Sequence, residues 1–384
     1  MPSSTPRAVH PGAWWLWAVG LAVAVSQTTN PLVLLLAASA VTFVVMARRS
    51  SSPWARAFRL YAILGAAIIV LRIVLHVLVG LKWGEIIVLP LPTIELPSWA
   101  AGINLLGDVR LEGLLAAIFE GMRLATMILC VGAANALADP KRLLAALPGA
   151  LQEIGTAIIV AISVAPQLAE SVRRVHRARL LRGDGARGVR AFRRVAMPVL
   201  EDTLERSMAL AASMDSRGYG RRDETTPARH RLTGMLTLGG LLGISVGSYG
   251  LLDATSPDWI GLPLLLVGVL LGALGLASGS TSVTRTTYRP SPWRLPETLT
   301  AGCGIVAAAT AFASAAWEPS TLTMPLAPIA PPPLPWLLTL GLLVATLPGL
   351  ITPEPPRPRE RDRRGRITAT GPTTETVPTE GSHP

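Results

Sequence analysis

The chain has 384 residues, half of them hydrophobic and only 15% charged, with a formal net charge of +11. A mean hydropathy of +0.45 is too apolar for an ordinary soluble domain and points to a membrane protein with several spans. In a soluble protein so basic a balance would suggest nucleic acid. Here basic loops on one side of a membrane and anionic lipid headgroups account for it, so no nucleic-acid partner is expected.

The first apolar run covers about 13–26. Its weak basic flank and the lack of a clear small-residue cleavage site mark it as a retained span. The pair Asn30-Pro31 predicts a tight turn into a second run at 31–47. After the basic stretch ARRSSSPWAR come a third span at about 57–80, a Pro- and Gly-containing loop at 81–112 and a fourth span at about 113–137. Arg72, His76, Glu120 and Arg123 lie in or near these spans, and intramembrane charge is a sign of function. Glu120 and Arg123, three apart on one helical face, are expected to pair or to line a substrate path. Cys130 and Cys303 both sit in apolar runs and read as small buried residues rather than a disulfide.

The character changes at 138–230. Within 171–194 there are nine arginines and one acid, Asp184, and only 151–166 is apolar enough to touch the membrane. Two amphipathic helices are predicted. The first, about 151–182, places Leu168, Val172, Val175 and Arg179 at helical spacing, with a kink expected at Pro166. The second, about 190–217, has a stripe of Leu200, Leu204, Met208 and Ala211, with Glu201, Asp202, Glu205 and Arg206 on the other face. GDGARG at 183–188 separates them. Further spans are predicted at about 232–252, 260–279, 297–317 and 334–351, and a Pro- and Thr-rich charged tail from Thr352 reads as disordered. Gly239, Gly243 and Gly247, with Gly268 and Gly272, suit close helix packing. With the N-terminus inside the cell, every basic loop falls on the cytoplasmic side of eight spans, and so does the C-terminus. The expected organisation is therefore all-α: N-terminal spans to 137, a cytoplasmic helical segment at 138–230, C-terminal spans at 231–351 and a cytoplasmic tail at 352–384.

Both central helices end in similar chemistry: RARLLRG with Ala178, Arg179 and Leu180, and SMDSRGYG with Ser216, Arg217 and Gly218. Three readings stay open on the residues alone. Gly218 and the arginines make ordinary helix C-caps. The basic surface binds lipid headgroups. Or the two arginines, each beside a small neighbour, dock into grooves on a partner.

The sequence resembles the transmembrane T component of energy-coupling factor transporters, the CbiQ/EcfT family. SMDSRGYG is close to the second Ala-Arg-Gly-like motif of that family, and HRARLLRG is similar to the first, with Leu180 where glycine is common. TTNPLVLLL, the stretch GMRLATMILCVGAANALADPKRLLAALP at 121–148 and Pro166 also match. The likeness covers roughly 10–275; the last two spans and the tail go beyond it. It implies a pair of long cytoplasmic coupling helices whose tips, through Arg179 and Arg217, each dock on one of two ABC ATPase subunits or on a fused ATPase. It also implies a small membrane subunit that captures the substrate, a vitamin or cobalt or nickel. ATP would be bound by the ATPases, with no cofactor in this chain.

The chain has no G-x-x-x-x-G-K-[ST] stretch, and its five histidines show no metal-ligand spacing. The expectation is a non-catalytic subunit of an ATP-driven importer in the cell membrane. The alternative is a stand-alone secondary transporter or membrane enzyme whose basic cytoplasmic segment binds lipid.

Overall fold

The computed structural model describes residues 7–49, 57–79, 83–95, 104–146, 152–181, 189–218, 227–253, 257, 259–280, 293–326 and 328–354. The GDGARG connection, Tyr219 and the tail beyond 354 lie outside the described residues. Among the described residues the fold is all-α apart from four short strands, as expected for a chain of membrane spans. The chain divides into two compact units. The first joins 1–140 to 292–384, and the second is 141–291. Packing thus groups the last two predicted spans with the N-terminal ones.

In the first unit, α1 (Pro11–Ser26) and α2 (Pro31–Arg48) each start with proline at the first turn, where its missing N–H costs nothing. His10 and Asn30 cap them, accepting hydrogen bonds from Gly12 and Leu32. Asn30 also donates to the Thr321 carbonyl at 3.0 Å, and Thr28 donates to the Leu322 carbonyl at 2.6 Å. The predicted turn is therefore also a lock onto the short helical turn Pro319–Thr321, which follows α10 (Leu295–Trp317).

The opposite end of these helices is held by a charge. Glu297, in the first turn of α10, is fully buried. It accepts from Arg7 Nη2 at 2.7 and 3.0 Å, from the His10 amide at 3.3 Å and from the Arg294 amide at 3.1 Å. At the end of α2, Arg48 donates to the carbonyls of Gly349 and Leu350 in α12 (Pro348–Ile351). Between the two ends Trp17 donates its indole N–H to the Ala345 carbonyl, just past α11 (Trp336–Val344), at 3.0 Å. Trp17, Leu21, Leu34, Val41, Ala307, Ala311, Leu338 and Leu342 fill the core among these helices. Gly20 and Gly304 allow α1 and α10 to touch backbone to backbone: a Cβ on Gly20 would collide with the Gly304 carbonyl.

α3 (Phe58–Val79) runs antiparallel to α4 (Leu111–Leu137), which itself packs on α1 and α2. Between them the expected loop contains β1 (Ile87–Leu89) paired with β4 (Val109–Arg110), and β2 (Thr93–Glu95) paired with β3 (Asn104–Leu106), all antiparallel. Cys130 and Cys303 are free, buried thiols.

A short α5 (Pro140–Ala145) leads to the second unit. There α6 (Gln152–Leu181) packs on α7 (Val189–Ser216), and α8 (Pro227–Leu252) packs on α9 (Leu262–Ser280). The glycine contact of α8 is shifted from the expected one. Gly240 and Gly243, not Gly239, lie against the Gly268–Gly272 backbone. Spacings of three and four alternate along a helix face, so a four-residue repeat alone misplaces it.

Among the described residues six helices are long and apolar enough to cross a membrane: α2, α3, α4, α6 from Ile154, α8 from Arg231, and α10. Five of them are among the eight spans expected. The other three expected spans, α1, α9 and α11 running into α12, are shorter apolar helices. The sixth, α6, was expected to be apolar only in its first half.

Gly20→Val should lower the thermal midpoint in detergent, by about 1–3 kcal/mol of stability or more, because backbone cannot yield as a side chain can. Gly302, with nothing within 4 Å of an added Cβ, is the control. Gly302→Ala should be neutral or gain up to about 1 kcal/mol from helix propensity.

Candidate functional site

The residues singled out at the two helix ends all lie in the second unit. α6 continues through Pro166, which removes one backbone rung. α7 likewise continues through Pro198, which the sequence reading passed over. The helices meet where Ser171 of α6 donates to Asp202 of α7 at 2.7 Å. Arg174 Nη2 lies 3.2 Å from the same carboxylate oxygen, and Arg206 Nε donates to the other oxygen at 3.0 Å. Ser171 and Val199 are buried at this crossing.

Asp202 was expected on an outward charged face. It instead accepts from both helices, while Leu200, Leu204 and Met208 are 53%, 65% and 73% exposed. The helix follows the pairing because a carboxylate with three donors within reach is better satisfied there than an unpaired one in a less polar setting. The hydrogen bond from Ser171, and after it the Arg206 guanidinium, hold the Asp202 carboxyl below its ordinary 3.8.

Beyond the crossing each helix extends to its tip. Arg179 is eight residues from Ser171, about 12 Å along the axis, and Arg217 is fifteen residues from Asp202, about 22 Å. Ala178 and Leu180 are exposed and Arg179 is half-buried. Leu180, where the resemblance led us to expect glycine, is 58% exposed and adds apolar surface to the helix end.

The second tip closes as its sequence predicts. Gly218 takes φ +77°, its amide donates to the Asp215 carbonyl at 2.8 Å, and the Arg217 amide donates to Met214 at 3.2 Å. The Ser216 hydroxyl turns back to the Ser213 carbonyl at 2.9 Å. Arg217 is exposed, and its guanidinium makes no side-chain hydrogen bond or ion pair among the described residues. The second helix thus ends in an exposed arginine, while Arg179 near the end of the first is half-buried and engaged within the chain.

The charged residues of the first unit's spans are arranged differently from expectation. Glu120 pairs with Arg72 of α3, across the helix interface, and not with Arg123. Arg72, His76, Trp83, Gly113 and Glu120 line a cavity of about 350 Å³ between α3 and α4. Among the described residues there is no group of three or more His, Cys, Asp or Glu able to hold a metal ion.

Acid should loosen the α6–α7 crossing. The Asp202 pKa is lowered in the folded state, so its contribution is complete above the ordinary 3.8 and is lost as the pH falls through the lower folded value. Spin labels on Ala178→Cys and Ser216→Cys should report a narrow distance distribution at neutral pH that broadens only below about pH 4. Asp202→Asn should broaden it at every pH and abolish the response.

No curated protein matches the chain. The profile of one family, CbiQ, described as cobalt transport protein, matches residues 2–227. The match ends where α8 begins, short of the 275 expected from resemblance. It takes in both tips and all of α1 to α7. With more than half of its length matched, and with its apolar helices, this multi-pass membrane protein belongs to the CbiQ family of cobalt transport proteins.

Proposed function

We propose that the chain is the non-catalytic energy-coupling subunit of an ATP-driven importer for cobalt or a similar micronutrient. It joins two ABC ATPase subunits, or one fused ATPase, to a small membrane subunit that captures the substrate. ATP is bound by the ATPases. The observation that carries this reading is the pair of long helices that cross at Asp202 and end in arginine tips, one of them closed by a left-handed Gly218.

A coupling element needs a directional contact at its end, a stiff shaft and a fixed crossing. An arginine fork docked in a groove supplies the first. Helices of 30 and 28 residues supply the second. Because Asp202 ties α6 to α7, a displacement of either tip is carried through the crossing instead of being absorbed by bending of one helix. Closure of the ATPase dimer would move both tips, and the helices would pass that movement to the membrane part. The cytoplasm is the side expected for the tips, with both chain termini on the same side. The alternation of helix ends within the first unit supports the placement of Arg7 and the end of α12 on one side. Arg7, Arg48, Arg294 and the end of α12 gather at one end of the first unit, and the 27–30 turn and Pro319–Thr321 at the other.

Arg179→Ala/Arg217→Ala should abolish co-purification with the ATPases and ATP-dependent uptake of radiolabelled cobalt, while the protein still reaches the membrane. Each lost charge-assisted contact costs about 2–5 kcal/mol, so single variants should show partial loss. Full uptake by the double variant would refute the lever. In intact cells, cysteines placed at 183–188 should react only with membrane-permeant reagents; labelling by an impermeant reagent from outside would reverse the topology.

A further inference from the structure

The α3–α4 face carries charge at a depth where charge is costly. Arg123 is residue thirteen of the 27 in α4, about 18 Å from one end of the helix and about 21 Å from the other. It is partly exposed, and no hydrogen bond or ion pair engages its guanidinium among the described residues. Glu120, the nearest acid in sequence, is taken by Arg72, and both partners of that pair are themselves near half exposed. Arg72, Glu120 and Arg123 therefore leave a net positive charge near the middle of the spans.

Lipid does not balance it. The middle of the hydrocarbon lies about 15 Å from its edge, and an arginine there reaches headgroups only by thinning the bilayer. Nor, among the described residues, does an acid of another apolar helix. α1, α2, α8, α9 and α11 contain no Asp or Glu, and α6 carries Glu153 and Glu170 outside its apolar stretch. Glu297 of α10 is buried beneath Arg7, and Glu112, in the first turn of α4, accepts from the Glu85 and Ile86 amides. On α4, Leu124 beside Arg123 in sequence and Val131 are each 42% exposed; on the neighbouring α3, Leu71 and Leu75 are 54% and 47% exposed, and α3 is the least covered of the candidate spans among the described residues.

We propose that Arg123 receives a carboxylate carried at mid-depth by a transmembrane helix of a partner protein, which docks on the open α3–α4 face. Apolar contact along Leu71, Leu75, Leu124 and Val131 seats the helix. The Arg72–Glu120 pair neutralises itself and leaves Arg123 to be matched, which sets the register of the docked helix. The proposal rests on the chain being one subunit of a membrane assembly; it does not require the arginine tips to dock on ATPases.

The test uses the full chain in the membranes of cells that make it, with Leu124 replaced by photoreactive benzoylphenylalanine. Irradiation should yield a cross-link to a transmembrane peptide of a different protein, containing Asp or Glu. Arg123→Gln should cut the yield about tenfold or more, as expected for loss of one desolvated charge pair, and Arg123→Lys should retain most of it. Arg123→Glu should be rescued by replacing the partner's acid with arginine. Because Arg123 has no partner among the described residues, Arg123→Gln should leave the thermal midpoint of the isolated protein unchanged or raised; a large fall would overturn the proposal. It would also be overturned by cross-links confined to this chain or to lipid, by a partner peptide without an acid, or by an undiminished yield from Arg123→Gln. Arg179→Ala/Arg217→Ala should leave the cross-link in place, which separates this contact from docking at the tips.

Discussion

A polar group buried among packed helices has no water at hand, so it has to find its partner in protein. Glu297 is the clearest case. It is fully buried, and it draws Arg7, the His10 amide and the Arg294 amide to one point. That point fixes the start of α1 against the start of α10. The Asn30 and Thr28 contacts do the same at the opposite end, where α1 turns into α2. Between these two polar anchors the contact is made of small residues, and Gly20 and Gly304 let the backbones touch. The apolar core gives these helices adhesion, and the few polar contacts determine which helix meets which.

The helices and the second tip were legible from local chemistry. Long apolar runs mark spans, Asn30-Pro31 marks a capped start, and Arg217-Gly218 marks a left-handed end. Partner choice was less legible, because apolar spans are interchangeable as far as sequence pattern goes. Nothing in the composition of α10 to α12 shows that they belong with α1 and α2; the deciding atoms are a few carbonyls and one carboxylate. Glu120 illustrates the same limit. Spacing along one helix offers Arg123, whereas Arg72, 48 residues away, is the partner found across the interface. A search for opposite charges at similar depth in neighbouring spans would have suggested it. The strands between α3 and α4, two or three residues each, are too short for alternation to reveal.

Asp202 was misplaced for a related reason. A charged stripe beside an apolar stripe usually faces water, and here the apolar stripe is open while Asp202, alone of the charged stripe's acids, turns to the other helix. The difference has mechanical meaning. An apolar seam tolerates small slips in register, since any methyl group can replace another. A carboxylate held by Ser171, Arg174 and Arg206 has one good position. Two helices joined in this way keep their crossing point while their ends are pushed, which a slippery contact would not.

The hydrogen bond from Trp17 to the Ala345 carbonyl joins residues 328 positions apart. On a ribosome adding about 5–20 residues per second, the first helix enters the membrane some tens of seconds before its acceptor exists. Until then Trp17 and Asn30 lack the carbonyls they donate to in the last part of the chain, and Gly20 lacks the Gly304 backbone it packs on. The second unit is made during that interval and lies, in chain order, between the two halves of the first. The last helices therefore complete the packing of the first ones, and a chain stopped where the family match ends would lack the surface that covers its own beginning.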